Sequence, residues 1–207
     1  MKMKTEAKRQ AILSVAAQAF QELGFERTSM SEICARLGGS KATLYNYFAS
    51  KEELFFEIMY KSAETKRQAM FDAFDQTNTD ITEALRYFGE HLLSFLYSPE
   101  IMAQRHMAIT APGQLGKLLY ERGILSSQSI LTNFLQDAMT QGKLRQGDAA
   151  VATLQLHGLL EAELINPFLF KLLEHVSEAD IKAMTARAID VFMAAYAPQK
   201  PAQTTCA

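Results

Sequence analysis

Residues 28–51 restrict the possible folds of this chain more than any other stretch, because they contain the start and the end of a short helix. Ser29 and Glu32 have the spacing of a capping box, in which the hydroxyl accepts a hydrogen bond from the third helical amide. Gly38 and Gly39 predict the end of that helix, since glycine adopts the left-handed backbone conformation without a Cβ clash.

A second helix is predicted directly after this turn, with Ser40 as its cap and Phe48 at its end. Two helices joined by a short glycine turn form a helix-turn-helix, whose second member enters the major groove of DNA. Apolar residues at helical spacing supply a small three-helix core, with Cys34 as a buried filler rather than a reactive thiol. These residues are Ile12, Ala16, Ala19, Phe20, Leu23, Phe25, Met30, Ile33, Leu37, Leu44 and Phe48.

The remaining sequence predicts helices, with no strand-like alternation and no repeat. Capping residues, glycines and prolines place about nine helices, over residues 5–23, 29–37, 40–48, 50–74, 80–97, 98–110, 115–141, 148–165 and 177–196. Loops are expected at Gln76–Thr79 and at Pro112, and Gly123 weakens the case for a continuous helix around it. We predict an all-α fold, with a helix-turn-helix domain over residues 1–50 and a ligand-binding and dimerisation domain over residues 51–207.

Charge is distributed unevenly along the chain. Residues 1–51 carry eight basic and four acidic side chains, whereas the remainder carries 13 basic and 19 acidic ones. A basic module on an acidic body suits phosphate binding, although a chance fluctuation explains the charge equally well. No apolar run reaches the ~18 residues that cross a bilayer, so a cytoplasmic protein with no membrane partner is expected. The two cysteines, Cys34 and Cys206, indicate neither a disulfide framework nor a metal site.

Residues 24–54 closely resemble the DNA-binding domain of TetR-type transcriptional regulators. The resemblance extends over about residues 8–56 and is most specific in Ser-Lys-Ala-Thr-Leu-Tyr-Asn-Tyr-Phe (40–48) and Ser-Lys-Glu-Glu-Leu (50–54). Residues 105–169 resemble the AefR/AcrR-like C-terminal type, through shorter and more apolar patterns. This family implies a homodimer that represses transcription and is released from DNA by a ligand.

The resemblance assigns two classes of DNA contact. Lys41 and Ala42 match the start of the recognition helix, where lysine donates to guanine and a methyl group touches thymine. Family positions that hold phosphates are matched by Thr28, Thr43, Tyr45, Tyr47 and Lys51. Two positions depart from the usual pattern: Gly39 replaces a common valine, and Ala42 replaces a frequent glycine. The operator sequence of a relative therefore cannot be transferred to this chain.

The last two long helices are the predicted dimer interface, mainly because of the family resemblance. Their apolar stripes comprise Leu156, Leu159, Leu160 and Leu164 on one helix and Ile181, Met184, Ala188, Val191, Phe192 and Ala195 on the other. Together with the partner's copies these stripes would form a four-helix bundle across a two-fold axis. The alternative is that the stripes are buried within the monomer.

Phenylalanine and methionine side chains suitable for lining an apolar effector pocket are frequent between residues 70 and 175. The candidates are Phe71, Phe74, Phe88, Phe95, Met102, Met107, Phe134, Met139, Phe168 and Phe170, with His106, His157, Glu161 and Asn166 to orient a ligand. For each of them, an ordinary place in the core or a helix–helix hydrogen bond is the alternative. His157 and Glu161 share a helix face, but no third ligand completes a metal site.

The sequence therefore predicts a DNA-binding transcriptional regulator, most simply a homodimeric repressor released from a palindromic operator by a small apolar effector. A ligand-independent DNA-binding or architectural protein on the same scaffold is the main alternative. A helical enzyme is disfavoured, because no phosphate loop, nucleophile elbow or spaced carboxylate–histidine set is present. No cofactor is expected.

Overall fold

The computed structural model describes residues 5–75, 80–110 and 113–198, and all regular structure in these ranges is helical. The helices are α1 (Glu6–Leu23), α2 (Met30–Leu37), α3 (Lys41–Tyr47), α4 (Lys51–Ser62), α5 (Glu64–Phe71), α6 (Ile81–Leu96), α7 (Pro99–Thr110), α8 (Gln114–Leu118), α9 (Leu125–Thr140), α10 (Ala149–Glu161), α11 (Ile165–Leu169) and α12 (Glu178–Tyr196). The all-α prediction is confirmed, with more helices than the nine or so expected. The predicted loops at Gln76–Thr79 and Pro112, and Cys206, lie outside the described residues.

Local sequence signals account for most helix starts. Ser29, Ser50 and Ser177 each accept a hydrogen bond from the amide three residues later, at 3.1 Å in all three cases. Asp80 and Asp148 cap α6 and α10 in the same way, as predicted. Because these bonds satisfy amides that the helix itself leaves unpaired, they set the starts of the helices independently of tertiary packing.

The single long helix predicted over residues 50–74 is wrong. It is divided at Ala63 into α4 and α5, and a 3-10 turn follows at Asp72–Asp75. The Ser62 hydroxyl donates to the Met59 carbonyl at 2.8 Å, and the Ala63 amide also donates to this carbonyl. A serine that bonds back to its own helix competes with the regular ladder, and this bond lies next to the residue at which the ladder is interrupted.

Two further predicted helices are subdivided. Between α8 and α9 the chain forms a π-helical turn, Leu119–Ile124, around the Gly123 that the sequence had marked as a weak point. The predicted helix 148–165 ends instead at Glu161, and Pro167 lies in the first turn of α11, where a proline is tolerated.

The chain divides into two compact units, and the first consists of residues 1–64 and 107–123. Its core contains most of the apolar residues predicted for the three-helix domain, including the buried Cys34, and Leu37 packs against it. Leu23 is only partly buried and is not part of this core. Ala108, Leu115 and Leu118 are buried in the same cluster, and Arg122 lies 3.5 Å from Glu53 of α4. The predicted boundary at residue 50 therefore differs from the compact units, because α4 and a distant segment complete this core.

The second unit consists of residues 65–106 and 124–207, and its described core is formed mainly by α6, α9, α10 and α12. Gly89 of α6 marks a close helix approach, since a Cβ there would lie 2.8 Å from side-chain carbons of both Leu160 and Thr185. None of the helices described in either unit has both the length and the apolar composition needed to cross a membrane.

Candidate functional site

Helix α3 is the predicted recognition helix, and contacts within the first unit hold it in place. Ser40 Oγ accepts from the Thr43 amide at 3.2 Å and lies 2.9 Å from the Thr43 hydroxyl. Leu44 and Phe48 are buried in the core of the unit. This buried side fixes the rotation of the helix about its axis, so the opposite face is presented to solvent in one orientation.

The exposed face of α3 consists of Lys41, Ala42, Tyr45 and Asn46, with the Tyr45 side chain 50% exposed. Residues four apart are neighbours on a helix, so Lys41 lies beside Tyr45 and Ala42 beside Asn46. The face combines an ammonium, a methyl, a phenol and an amide, which are groups that contact base edges and phosphates.

Asn46 was missed by the sequence reasoning. Its side chain is exposed and has no hydrogen-bond partner among the residues that the structure describes. An asparagine amide pairs with both the N6 and N7 atoms of adenine, which makes it one of the best base-reading groups. The signal available in the sequence was its position four residues after Ala42, on the same side of the helix.

Tyr47 and Lys51 have structural contacts as well as the predicted role. The Tyr47 hydroxyl accepts a hydrogen bond from the Thr5 amide at 2.9 Å, which joins the start of α1 to the end of α3. Lys51 Nζ donates to the Phe25 carbonyl at 2.8 Å and lies 4.1 Å from the centre of the Phe25 ring. The phenol hydrogen and two ammonium hydrogens remain available, so both residues keep the capacity to donate to a phosphate.

Thr28 is placed differently from the prediction. Its side chain is 1% exposed, and its hydroxyl lies 2.7 Å from the Gly24 carbonyl and 3.2 Å from the Ala19 carbonyl. A buried hydroxyl that is satisfied by backbone carbonyls closes the turn between α1 and α2 and cannot reach a phosphate in this conformation. The sequence could not reveal this, since a threonine at a helix start is suited to either task.

Lys41 differs electrostatically from Arg36 of α2. Arg36 pairs with Glu22 at 2.6 Å and with Glu32 at 2.8 Å, and the hydrogen bonds to Glu32 and then to Glu22 raise the pKa of its guanidinium. Lys41 forms no ion pair within the described part of the chain. Its positive charge is therefore open to an external anion, whereas the charge of Arg36 is already balanced.

The structure corrects most of the predicted dimer interface, because the apolar stripes are buried within the monomer. The residues buried in the core of the second unit are Leu156, Leu160, Leu164, Ile181, Met184, Ala188 and Phe192. Val191, which is 54% exposed, and Ala195 remain on the surface. Helix α10 carries a different exposed apolar stripe, Val151, Leu154 and Gly158, in which Leu154 is 58% exposed.

Part of the predicted effector set forms an aromatic cluster in the second unit. Phe74 stacks on Phe134 with ring centres 3.9 Å apart, and Phe88 lies 5.3 Å from Phe74 and 5.7 Å from Phe71. His157 meets the Phe88 ring edge-on at 6.2 Å. Phe71 and Phe88 are buried, which agrees with the core alternative left open by the sequence.

A polar cluster follows one turn later on α10. Glu161 accepts hydrogen bonds from the Tyr97 hydroxyl at 2.7 Å and from Arg105 at 2.9 Å. Burial, and then the neighbouring Glu161 carboxylate, raises the pKa of the Tyr97 phenol. The Arg105 guanidinium lies 4.3 Å from the centre of the Phe168 ring. Because these groups satisfy one another, the cluster joins α6, α7, α10 and α11.

The other predicted effector residues are dispersed. His106 stacks on Phe168 at 4.1 Å, and its Nε2 lies 2.7 Å from the Phe168 carbonyl. Met102 is buried and Phe95 is partly buried against the core, whereas Asn166 is exposed. A surface groove of about 550 Å³ lies in the first unit, lined by Gly113, Gln114, Lys117, Leu118, Glu121 and Arg122. None of the predicted effector residues lines it.

Comparisons with known families agree with these features. A model of bacterial regulatory proteins of the tetR family matches residues 12–58, which include α2 and α3. A model of the C-terminal domain of AefR-like transcriptional repressors matches residues 83–198. The second match covers more than half of the chain.

Individual relatives include the HTH-type transcriptional activator FasR of Mycolicibacterium smegmatis, 30% identical over 91 residues, or 44% of this chain and 41% of FasR. A putative TetR-family regulator from Mesorhizobium loti has a similar solved structure, with 25% identity, a TM-score of 0.76 and coverage of 94% of this chain and all of that one. The structure titled Flavonoid-responsive Regulator FrrA has 28% identity, a TM-score of 0.77 and coverage of 95% and 100%.

Proposed function

Because the chain belongs to the TetR family of bacterial regulatory proteins and is a helix-turn-helix transcriptional regulator, we propose that it is a homodimeric repressor released from a palindromic operator by a small apolar effector. The observation that carries the DNA-binding part is the exposed face of α3, turned outward by the buried Leu44 and Phe48. It acts in the cytoplasm, where the operator is.

Within this proposal the α3 face reads the operator. Lys41 and Asn46 donate to base edges, and Ala42 contacts a thymine methyl. Thr43, Tyr45, Tyr47 and Lys51 hold the phosphates on either side, which fixes the register of the helix in the groove. Thr28 supports the turn that positions α2 and makes no DNA contact.

A second copy supplies the second recognition helix. The exposed stripe Val151, Leu154 and Gly158 on α10, together with Val191 and Ala195 on α12, replaces the predicted interface. An exposed apolar helix face of this kind gains free energy when an identical face covers it, and a two-fold axis brings identical faces together. The operator is then two half-sites one helical turn apart, about 34 Å.

The effector is proposed to bind the second unit at the aromatic cluster. Phe74 and Phe134 are only partly buried and offer apolar surface beside the buried Phe88, and the FrrA structure, 28% identical to this chain, carries a title that describes a flavonoid-responsive regulator. An effector that fits only one conformation of this unit shifts the population of the dimer away from the DNA-bound state. Release then follows from differential binding of the effector to the two states.

The proposal is tested by selecting operators from random duplex DNA with the purified chain and measuring affinity by fluorescence anisotropy. A palindromic motif and a protein mass of two chains in light scattering are expected. Asn46→Ala should change the preference at one position of each half-site and cost about 1–3 kcal/mol there. Asn133, an exposed asparagine of α9, provides the matched control Asn133→Ala, which should leave the motif unchanged. Failure to enrich any motif contradicts the proposed function.

A further inference from the structure

His157 carries a buried polar atom that the fold does not use. Its Nε2 is inaccessible to solvent and has no hydrogen-bond partner among the residues that the structure describes, although the residue as a whole is partly exposed. Desolvation lowers the pKa of the imidazole, so the ring is neutral near pH 7. A buried polar group without a partner destabilises a fold, and its presence calls for an explanation.

The surroundings of His157 indicate which kind of ligand group would form a hydrogen bond with its Nε2. The Phe88 ring meets it edge-on, and Phe88 in turn contacts the Phe74 ring that stacks on Phe134. These rings favour a flat aromatic ligand. A neutral imidazole nitrogen either donates or accepts, depending on the tautomer, and a phenolic hydroxyl matches both cases.

The charge near His157 disfavours an anionic ligand. Glu161 lies one turn further along the same face of α10, and Arg105 is already paired with it. A fatty-acid carboxylate at His157 would therefore meet a neutral imidazole and a carboxylate rather than a free cation. A neutral phenol avoids this repulsion.

We propose that His157 is the polar anchor of the effector site and that the effector is a neutral hydroxylated aromatic compound, whose hydroxyl pairs with Nε2 while its rings pack on the phenylalanine cluster. This rests on the proposed function, in which the second unit binds an apolar effector. It assigns a chemical class to that effector and a role to one residue.

Thr185 provides a matched control, because its Oγ1 is also buried and has no partner within the described ranges. Thr185 lies at the close helix approach beside Gly89, where the side chains leave no space for a ligand. Removing either unpaired group should raise the melting temperature of the ligand-free protein. Only the change at His157 should affect effector binding.

Isothermal titration calorimetry is the assay, since the chain has no tryptophan for fluorescence quenching. The probes are the trihydroxylated flavone apigenin, unsubstituted flavone and palmitate. The wild-type chain should bind apigenin about tenfold more tightly than flavone, the difference expected for one buried hydrogen bond, and palmitate more weakly still. His157→Leu should reduce apigenin affinity to that of flavone, whereas Thr185→Val should leave both unchanged.

His157→Gln retains a hydrogen-bonding amide and should keep part of the preference for apigenin, which guards against misfolding of the leucine variant. Equal affinity of the wild-type chain for apigenin and flavone overturns the inference, as does tighter binding of palmitate or a His157→Leu variant that keeps the preference for apigenin. Binding to the selected operator is measured separately without any probe. If the wild-type chain does not bind the selected operator, the proposed function is contradicted. The calorimetric affinities for the three probes still test the effector class independently.

Discussion

Leu44 and Tyr45 are consecutive residues of α3 with opposite environments, so replacing each with alanine separates the packing of the recognition helix from its surface chemistry. Leu44 is 0% exposed in the core of the first unit, and Tyr45 is 50% exposed. Both substitutions introduce the residue with the highest helix propensity. Differences between the variants therefore come from burial and not from the backbone.

The cost of Leu44→Ala follows from its complete burial. The substitution removes three buried carbons, each worth about 0.8 kcal/mol of transfer free energy, or about 2.4 kcal/mol together. The cavity left behind adds to this, so the free energy of unfolding should fall by about 3 kcal/mol, within the usual range of about 2–5 kcal/mol. Tyr45→Ala removes surface that is half in water and should change the free energy by no more than about 0.5 kcal/mol.

Urea unfolding followed by far-ultraviolet circular dichroism measures the stability of both variants, and fluorescence anisotropy measures their operator affinity. Tyr45→Ala should lose about tenfold in affinity while its unfolding curve overlies that of the wild-type chain. The unfolding transition of Leu44→Ala should shift to lower urea concentration, and this variant should bind DNA only at urea concentrations below that transition. The reasoning is refuted if Tyr45→Ala loses as much stability as Leu44→Ala, or if Leu44→Ala loses less than about 1 kcal/mol.

Three further predictions concern charge and protonation. Lys41→Ala should relax the operator preference at one position of each half-site at a cost of about 1–3 kcal/mol, and an equal loss on all sequences would show that Lys41 only positions the helix. Lys51→Ala should weaken binding to selected and to random DNA alike, and it should make the fall of log affinity with log salt less steep by about 1 per chain. An unchanged slope would exclude a phosphate contact by Lys51. Burial lowers the pKa of the His157 imidazole below that of an exposed histidine, which is about 6.5. The unfolded chain therefore binds the proton more readily, and the stability that depends on a neutral His157 is lost as pH falls below about 6.5. The wild-type chain should therefore lose more stability than His157→Gln between about pH 7.5 and 5.5 in urea titrations, and parallel losses would rule out a buried neutral imidazole.

Local chemistry explains which parts of the fold were predictable. Ser29, Ser50 and Ser177 start helices through bonds to amides only three residues away, and Gly38 ends α2 with a left-handed φ of 66°. Such interactions lie within one helical turn and are visible in the sequence. They were sufficient to place α2, the glycine turn and α3, and with them the predicted DNA-reading surface.

The interruption at Ala63, next to Ser62, was not predictable from the sequence, because neither a glycine nor a proline marks it. The serine hydroxyl bonds back to its own helix, and no pattern of apolar residues reports that bond. Thr28 illustrates the same limit of sequence reasoning, since its hydroxyl suits a phosphate as well as the carbonyls that it contacts.

The sequence by itself determined the helical class, the ends of the capped helices and the chemistry of the α3 face, because these depend on neighbours along the chain. Only the tertiary structure decided which apolar stripe of α10 is buried, since Leu156 and Leu160 on one side and Val151 and Leu154 on the other are both apolar. It likewise placed Leu115 and Leu118 in the core of the first unit and left His157 Nε2 without a partner in the described part of the chain. Such outcomes depend on contacts between residues far apart in sequence, and helical periodicity contains no information about which distant surface covers a given face.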